Sequence, residues 1–239
     1  MGLQVGGKDI HKVTVIGSGQ IGPDIALHFL KVLTPSGGSV VLVDISEAAL
    51  AAGRARIEKK IARGEKRGAF KPAQAQAMRD GLQCTTDYAD IAGSQLVVEA
   101  ATEDDALKGR IFGLVEANVA DDAILLSNSS HIEPERIFAP LQHKGRTAVA
   151  HYFFPAERNP VVEIVPGADT DDDVTDWLLN FYEAIGKVPI RVGSQYGYAI
   201  DPIFEGIFEA AALCVEAGRG TVKEVDFVAR EALGMTVGP

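Results

Sequence analysis

The chain reads VTVIGSGQIG at residues 13–22, where a β-branched run leads directly into a glycine-rich turn. The turn has the pattern Gly-x-Gly-x-x-Gly. Its first glycine permits a tight turn, its second lets the backbone approach a pyrophosphate, and its third lets a helix pack closely on a strand. The following helix would direct free N–H groups and its positive dipole end at the phosphates. These residues predict a dinucleotide site that includes Gly17, Gly19, Gln20, Ile21 and Gly22.

A carboxylate follows the second β-branched run, which reads VVLVD at residues 40–44. Asp44 can accept both hydroxyls of a ribose and would repel a 2′-phosphate, and no Arg follows directly to hold one. The pattern therefore favours NAD over NADP. A glycine turn that only connects a strand to a helix is the other interpretation, but strand, helix and acidic residue together favour cofactor binding.

Short apolar runs alternate with longer amphipathic segments over the first part of the chain. Strands are predicted at 13–16, 40–43, 96–99, 124–127, 147–151, 161–165 and 188–192, with helices at 47–62 and 108–119. This alternation, with continuous apolar runs, is typical of a parallel sheet covered on both faces. The prediction for residues 1–192 is an α/β domain with a Rossmann-type, doubly wound, mostly parallel sheet.

The pattern changes after residue 192. A hinge is predicted at 193–195, followed by helices at 200–217 and 222–233 and by no further strand. Two helices alone expose an apolar face with little to cover it. Residues 193–239 are therefore predicted to form a short all-α domain that is incomplete, either truncated or completed by another segment.

Composition excludes several classes of protein. With 239 residues, 46% of them apolar, the chain is typical of a globular protein, and its net charge of −10 disfavours a nucleic-acid partner. No apolar run approaches the length of a membrane span, and the N-terminus does not resemble a signal peptide. The two cysteines and five histidines lack metal-binding spacings. These features predict a cytoplasmic protein without a metal site.

A histidine and a carboxylate form the second group of candidate residues. His151 ends the predicted strand 147–151 and Glu163 lies in the next strand, so adjacent strands would bring them together as a general acid–base pair. Upstream, Asn128 and Ser130 follow the strand 124–127, where they would contact a substrate oxygen and a nicotinamide. The alternatives are a core histidine with satisfied hydrogen bonds and a serine that caps a turn.

Several motifs, taken in order and spacing, resemble the L-3-hydroxyacyl-CoA dehydrogenase family from about residue 12 to the end. They are the glycine turn, the segments 97–100 and 127–130, His151 and Glu163. The resemblance implies an NAD-binding domain and a helical domain that dimerises, with an acyl-CoA substrate. It also implies that His151 is the general acid–base, that Glu163 orients it, and that Ser130 lies near the substrate oxygen and the nicotinamide.

The resemblance further implies that Glu103 and Lys108 line the nicotinamide side, although both would also suit a solvated helix start. Two motifs depart from the family. His-Phe-Phe-Asn-Pro is here HYFFP at 151–155, and Gly-Phe-Ile-Val-Asn-Arg is GYAIDP at 197–202. Asp201 thus replaces an Asn that faces the substrate. It is predicted either to bring a second carboxylate towards His151 or to cap the following helix.

The function predicted from these residues is NAD-dependent interconversion of a 3-hydroxyacyl-CoA and a 3-ketoacyl-CoA, by a homodimer formed through the completed helical domain. One alternative is an NAD-dependent dehydrogenase of another 3-hydroxy acid. The other is a non-catalytic, nucleotide-binding or structural protein on the same fold, because a fold does not prove an activity.

Overall fold

The computed structural model describes residues 2–239, which contain a large sheet and a separate short hairpin. The strands are β1 (Leu3–Val5), β2 (Lys8–Ile10), β3 (Lys12–Ile16), β4 (Ser39–Val43), β5 (Leu82–Thr85), β6 (Leu96–Glu99), β7 (Ile124–Ser127), β8 (Thr147–Tyr152), β9 (Val161–Pro166) and β10 (Val188–Arg191). The large sheet has the order β10-β9-β8-β7-β6-β3-β4-β5. All neighbouring strands in it are parallel except β8 and β9. The predicted doubly wound, mostly parallel sheet is confirmed.

Helices connect most of these strands. They are α1 (Gly22–Leu33), α2 (Glu47–Lys66), α3 (Pro72–Asp80), α4 (Asp105–Glu116), α5 (Pro134–Ile137), α6 (Asp172–Ala184), α7 (Ile200–Glu216) and α8 (Val222–Leu233). Among residues 2–239, none of the helices combines the length and the apolar character that crossing a membrane would require.

The position of β3 beside β6 creates the crevice for the candidate site. From β3 the chain moves outward through β4 and β5, and then returns to β6 on the other side of β3 before continuing to β7 and β8. The loops after β3 and β6 therefore diverge at the carboxyl ends of the strands, where open α/β sheets bind ligands. The apolar side chains of both strands are almost wholly buried, and this burial holds the two strands in place.

The structure corrects several predicted boundaries. The helix predicted at 108–119 is α4, which begins earlier because the Asp104 carboxylate accepts the Leu107 N–H at 2.7 Å and caps it. The strand predicted at 40–43 is β4, which ends at Val43 as predicted, so Asp44 starts the loop. The elements β1, β2, β5, α3, α5 and α6 were not predicted from the sequence. All of them except α6 are too short to show a clear period. At the sheet edge, β10 is more exposed than its apolar run predicted.

The chain divides into two compact units, one up to Tyr196 and the other Gly197–Pro239, whereas the predicted domain boundary was at residue 192. In the second unit α8 begins with a capping box, in which Thr221 and Glu224 exchange hydrogen bonds. None of the residues of α7 is buried, and α8 buries only Ala229. Large apolar side chains remain exposed on both helices, among them Phe204, Phe208 and Phe227.

Candidate active site

The glycine turn after β3 has no room for side chains at two of its glycines. Gly17 has φ +101°, and a Cβ there would lie 2.5 Å from the Ala100 carbonyl oxygen. A Cβ on Gly22 would lie 1.8 Å from the Gly17 carbonyl oxygen, so the start of α1 approaches the turn as closely as the motif predicts. Around Gly19 the space is open, with no atom within 4 Å of a Cβ position.

Asp44 holds the turn from the end of β4. Its Oδ2 accepts the Ser18 N–H at 2.7 Å, and its Oδ1 accepts the Ser46 N–H at 3.0 Å. A carboxylate offers about four acceptor positions, so two backbone bonds leave capacity for two ribose hydroxyls. The Asp44 carboxylate is therefore already oriented at the cleft before any ligand contacts it.

A cleft of about 590 Å³ lies at the carboxyl ends of β3, β4, β6 and β7. Its lining includes the predicted cofactor residues Gly17, Gly19, Gln20, Ile21, Asp44, Glu103 and Asn128, and the predicted substrate residue Ser130. The volume is within the usual range for a small-molecule site. Close glycine packing, the open space at Gly19 and the placement of Asp44 all fit a dinucleotide.

Behind the cleft wall, Lys108 is 1% exposed and forms a buried ion pair with Glu99, with Nζ at 2.8 Å from Oε1. Its Nζ also lies 3.1 Å from Oε2 of Glu103, which does line the cleft. Lys108 is not part of the cleft lining, so the structure does not place it on the nicotinamide side as the resemblance implies. The alternative of a solvated helix start is also wrong for Lys108, because its charge is satisfied by two carboxylates in the protein. The structure gives Lys108 the role of holding Glu103 at the cleft.

Glu103 is also bound by the turn after β7. The Ser129 hydroxyl donates to Oε1 of Glu103, and the Ser130 N–H donates to the same oxygen at 3.0 Å. Burial opposes ionisation, but the Ser129 hydrogen bond and the charge of Lys108 lower the pKa of Glu103 below its ordinary value. Glu103 is therefore an anion that joins the β6 and β7 loops.

Two predicted residues of the β7 turn lie at the cleft. Asn128 Oδ1 accepts the Tyr152 N–H at 2.9 Å, which ties this turn to the end of β8. The hydroxyl that caps the turn belongs to Ser129, which accepts the Ile132 N–H at 2.9 Å. The alternative in which Ser130 caps a turn is therefore not observed, because Ser129 is the residue that caps it.

His151 and Glu163 form a buried pair on antiparallel strands. They are direct partners in the β8–β9 register, and His151 Nδ1 lies 2.9 Å from Glu163 Oε2. Only 5% of His151 and 3% of Glu163 is exposed. An ionised carboxylate can only accept, so Nδ1–H donates this hydrogen bond and proton transfer to a substrate would use Nε2. A histidine oriented in this way by a carboxylate suits general acid–base chemistry.

Asp201 lies in the second unit, in the first turn of α7. The N-cap position of that helix is occupied by Ala199, and Asp201 lies two residues further along. A carboxylate in the first turn is still favoured by the helix dipole. The role of Asp201 towards a substrate stays a prediction.

Residues 12–195 match the family model described as 3-hydroxyacyl-CoA dehydrogenase, NAD binding domain. The chain belongs to the 3-hydroxyacyl-CoA dehydrogenase family. Membership confirms the resemblance, NAD as the cofactor and NAD-dependent 3-hydroxyacyl-CoA oxidoreduction as the class of reaction.

Relatives and solved structures agree with this family. The chain is 32% identical over 232 residues to a 3-hydroxybutyryl-CoA dehydrogenase of Mycobacterium tuberculosis, covering 96% of this chain and 80% of the relative. It is 32% identical to the glyoxysomal fatty acid beta-oxidation multifunctional protein MFP-a of Brassica napus, covering 97% of this chain and 31% of that protein. The crystal structure of (S)-3-hydroxybutyryl-CoA dehydrogenase PaaH1 from Ralstonia eutropha superposes with a TM-score of 0.89 at 27% identity, covering 96% of this chain and 80% of that one.

Three residues of this dehydrogenase site were not singled out from the sequence. Glu99 binds Lys108, the Ala101 N–H and the Ser127 hydroxyl. The sequence feature that could have identified Glu99 is a carboxylate at the end of a buried strand. Ser129 was hidden in a run of polar residues. Arg56 contacts the glycine turn from α2, and nothing in the linear pattern connects the two.

Proposed function

We propose that this dehydrogenase interconverts short-chain 3-hydroxyacyl-CoA and 3-ketoacyl-CoA esters, with His151 as general acid–base and Glu163 as its orienting partner. The observation that carries the proposal is the buried contact between His151 Nδ1 and Glu163 Oε2 at 2.9 Å. Short chains are favoured because two of the similar proteins are 3-hydroxybutyryl-CoA dehydrogenases.

His151 moves the proton at Nε2. In the oxidation direction, Nε2 takes the proton of the 3-hydroxyl group. NAD, when bound, would supply the hydride acceptor. Glu163 remains ionised and stabilises the imidazolium that results. In the reduction direction His151 returns that proton to the developing alkoxide.

The polar residues of the cleft position the reactants. Ser130 offers its hydroxyl to the substrate oxygen, and Asn128 and Glu103 lie on the nicotinamide side. Lys108 acts through Glu103, whose carboxylate it holds in place at 3.1 Å. Gly17, Gly19, Gln20, Ile21, Gly22 and Asp44 bind the pyrophosphate and the adenosine ribose.

A dehydrogenase of another 3-hydroxy acid is the second candidate, because the substrate side differs from the family pattern. Phe154 stands in place of the family's Asn and is 63% exposed three residues after His151. Asp201 replaces a second amide. Both changes remove a neutral hydrogen-bonding group from the substrate side.

The test is NADH oxidation with acetoacetyl-CoA, a longer 3-ketoacyl-CoA and free acetoacetate, each at matched concentration. The proposal expects the highest kcat/KM with acetoacetyl-CoA. A higher kcat/KM with the longer ester would refute the chain-length assignment, and a higher value with free acetoacetate would establish the second candidate.

We also propose that the second unit associates with a second copy of the chain. Its helices α7 and α8 leave large apolar side chains exposed, and an apolar groove between them is lined by Ile207, Val228 and Leu233 among others. Contiguous exposed apolar surface is typical of an interface. Light scattering should give a dimer, and a monomer that binds no dye for apolar surface would refute this proposal. A cytoplasmic location stays a prediction.

A further inference from the structure

Arg56 reaches from α2 to the backbone of the glycine turn. Its Nη1 donates to the Gly19 carbonyl oxygen at 2.8 Å, and its Nη2 donates to the Gln20 carbonyl oxygen at 2.6 Å. The helix can come this close because Gly53, one turn earlier on the same face, has no side chain. A Cβ there would lie 2.1 Å from the Ser18 hydroxyl oxygen. One guanidinium thus bridges two successive carbonyls of the turn.

Because peptide groups are planar, this bridge also fixes the two N–H groups of the same peptides, Gly19–Gln20 and Gln20–Ile21. Both peptides are trans, and in a trans peptide the C=O and N–H groups point in opposite directions. Fixing the carbonyls of Gly19 and Gln20 towards α2 therefore fixes the N–H groups of Gln20 and Ile21 away from it. Within residues 2–239, neither N–H donates to a protein group, and both residues line the cleft.

The same face of α2 also places two cations, Arg56 and Lys60, beside the Asp24 carboxylate at the start of α1. Asp24 is 1% exposed, and its Oδ1 lies 2.7 Å from Lys60 Nζ and 3.5 Å from Arg56 Nη2. Lys60 Nζ is also 2.7 Å from Oε1 of Glu157 in the loop after β8. Burial and the nearby Glu157 carboxylate raise the pKa of Asp24. An unpaired anion here would repel a pyrophosphate at the same helix terminus.

We infer that Arg56 is a positioning residue for the cofactor: it holds the Gly19 and Gln20 carbonyls so that the Gln20 and Ile21 N–H groups are aimed at the pyrophosphate. The guanidinium also offsets the charge of Asp24 beside that site. The inference rests on NAD as the cofactor, and concerns the pyrophosphate rather than the adenosine or the substrate.

The experiment measures dissociation constants by calorimetry for NAD, ADP-ribose and adenosine with the full chain. The variants are Arg56→Ala, Arg56→Lys and the control Arg63→Ala, an exposed residue of the same helix without a side-chain partner among residues 2–239. Arg56→Ala should weaken NAD and ADP-ribose binding about tenfold or more, because two charged hydrogen bonds are lost. Adenosine binding should change less than about twofold, since adenosine has no pyrophosphate.

Arg56→Lys separates positioning from simple attraction. A lysine keeps the charge but lacks the fixed fork that bridges two carbonyls. We therefore expect it to recover less than half of the loss in free energy of ADP-ribose binding, and we expect KM for NAD to rise more than kcat falls in both Arg56 variants. Full recovery by lysine, an equal loss for adenosine, or an Arg56→Ala protein that binds ADP-ribose like Arg63→Ala would each overturn the inference. Calorimetry with ADP-ribose needs no turnover, so these outcomes are independent of the proposed substrate and of His151.

Discussion

His151 and Glu163 lie directly opposite each other where the sheet changes direction, on the antiparallel strands β8 and β9. The contact between Nδ1 and Oε2 is 2.9 Å, and both side chains are buried. The antiparallel pairing brings the two residues together from positions twelve apart in sequence. The sheet therefore supplies the fixed geometry that an orienting carboxylate needs.

Replacing Glu163 with Gln tests this relationship. The amide keeps the size of the side chain but removes the charge that stabilises the imidazolium. Because the amide offers an NH2 donor beside its acceptor oxygen, it also no longer selects one tautomer of His151. We expect kcat to fall about 10²-fold or more, with little change in the NAD dissociation constant. Steady-state rates and calorimetry measure the two effects. A Glu163→Gln protein with unchanged kcat would show that the carboxylate has no part in the chemistry.

Asp44 should determine the preference between NAD and NADP. The unmodified protein should bind NAD at least about tenfold more tightly, because the carboxylate accepts ribose hydroxyls and repels a 2′-phosphate. Asp44→Asn should weaken NAD binding and narrow this ratio, as measured by calorimetry. Equal affinity of the unmodified protein for both cofactors is the result that would exclude this role.

Lys108 should be a large contributor to stability. Lys108→Met leaves the fully buried Glu99 without its ammonium partner, and we expect a loss of about 3–5 kcal/mol in the free energy of unfolding. The double variant Lys108→Met, Glu99→Gln should recover part of this loss, because no buried charge is then unpaired. Urea unfolding measures both, with the exposed Lys59→Met as control. Equal stability of Lys108→Met and Lys59→Met would contradict the account.

His28 should make the folded protein sensitive to acid. Burial, with the nearby charges of Lys187 and Lys31, lowers its pKa to about 3, and both ring nitrogens are without a partner among residues 2–239. The unfolded chain takes up this proton near pH 6.5, so the free energy of unfolding falls as pH decreases from about 6.5 to 3.

The matched variants for that effect are His28→Leu and the exposed His143→Leu. The first should flatten the pH dependence by up to about 1.4 kcal/mol per pH unit, and the second should not. Denaturant unfolding at a series of pH values measures the slopes. Identical slopes for His28→Leu and the unmodified protein would show that His28 is not the group responsible.

Much of the fold and part of the site follow from local pattern. The apolar strands β3, β4, β6 and β7 are continuous runs bounded by turn residues, and the glycine turn has a fixed spacing, so both are readable from sequence. The short strands β1, β2 and β5 carry too few residues to show a period. Contacts between segments that are distant in sequence also cannot be predicted from the local apolar pattern. Arg56 meets Gly19 only because α2 folds back over the turn.

Lys108 illustrates the same limit within the site. A lysine near a helix start is typical of a solvated surface, and only the packed structure shows that Glu99 and Glu103 enclose it. The pair of His151 and Glu163 was predictable because neighbouring strands commonly pair. Their antiparallel register, however, depends on the reversal of chain direction between β8 and β9, which the apolar pattern does not encode.

The role of His151 as the general acid–base is measured most directly by the single-turnover rate of NADH oxidation by acetoacetyl-CoA. This rate is compared between the unmodified protein and His151→Gln. The variant removes the proton carrier while Asp44 and the glycine turn remain intact. We predict that the rate falls about 10²–10⁴-fold while the NADH dissociation constant changes less than about twofold. A His151→Gln protein that binds NADH normally and retains a rate within about threefold of the unmodified protein would contradict the account.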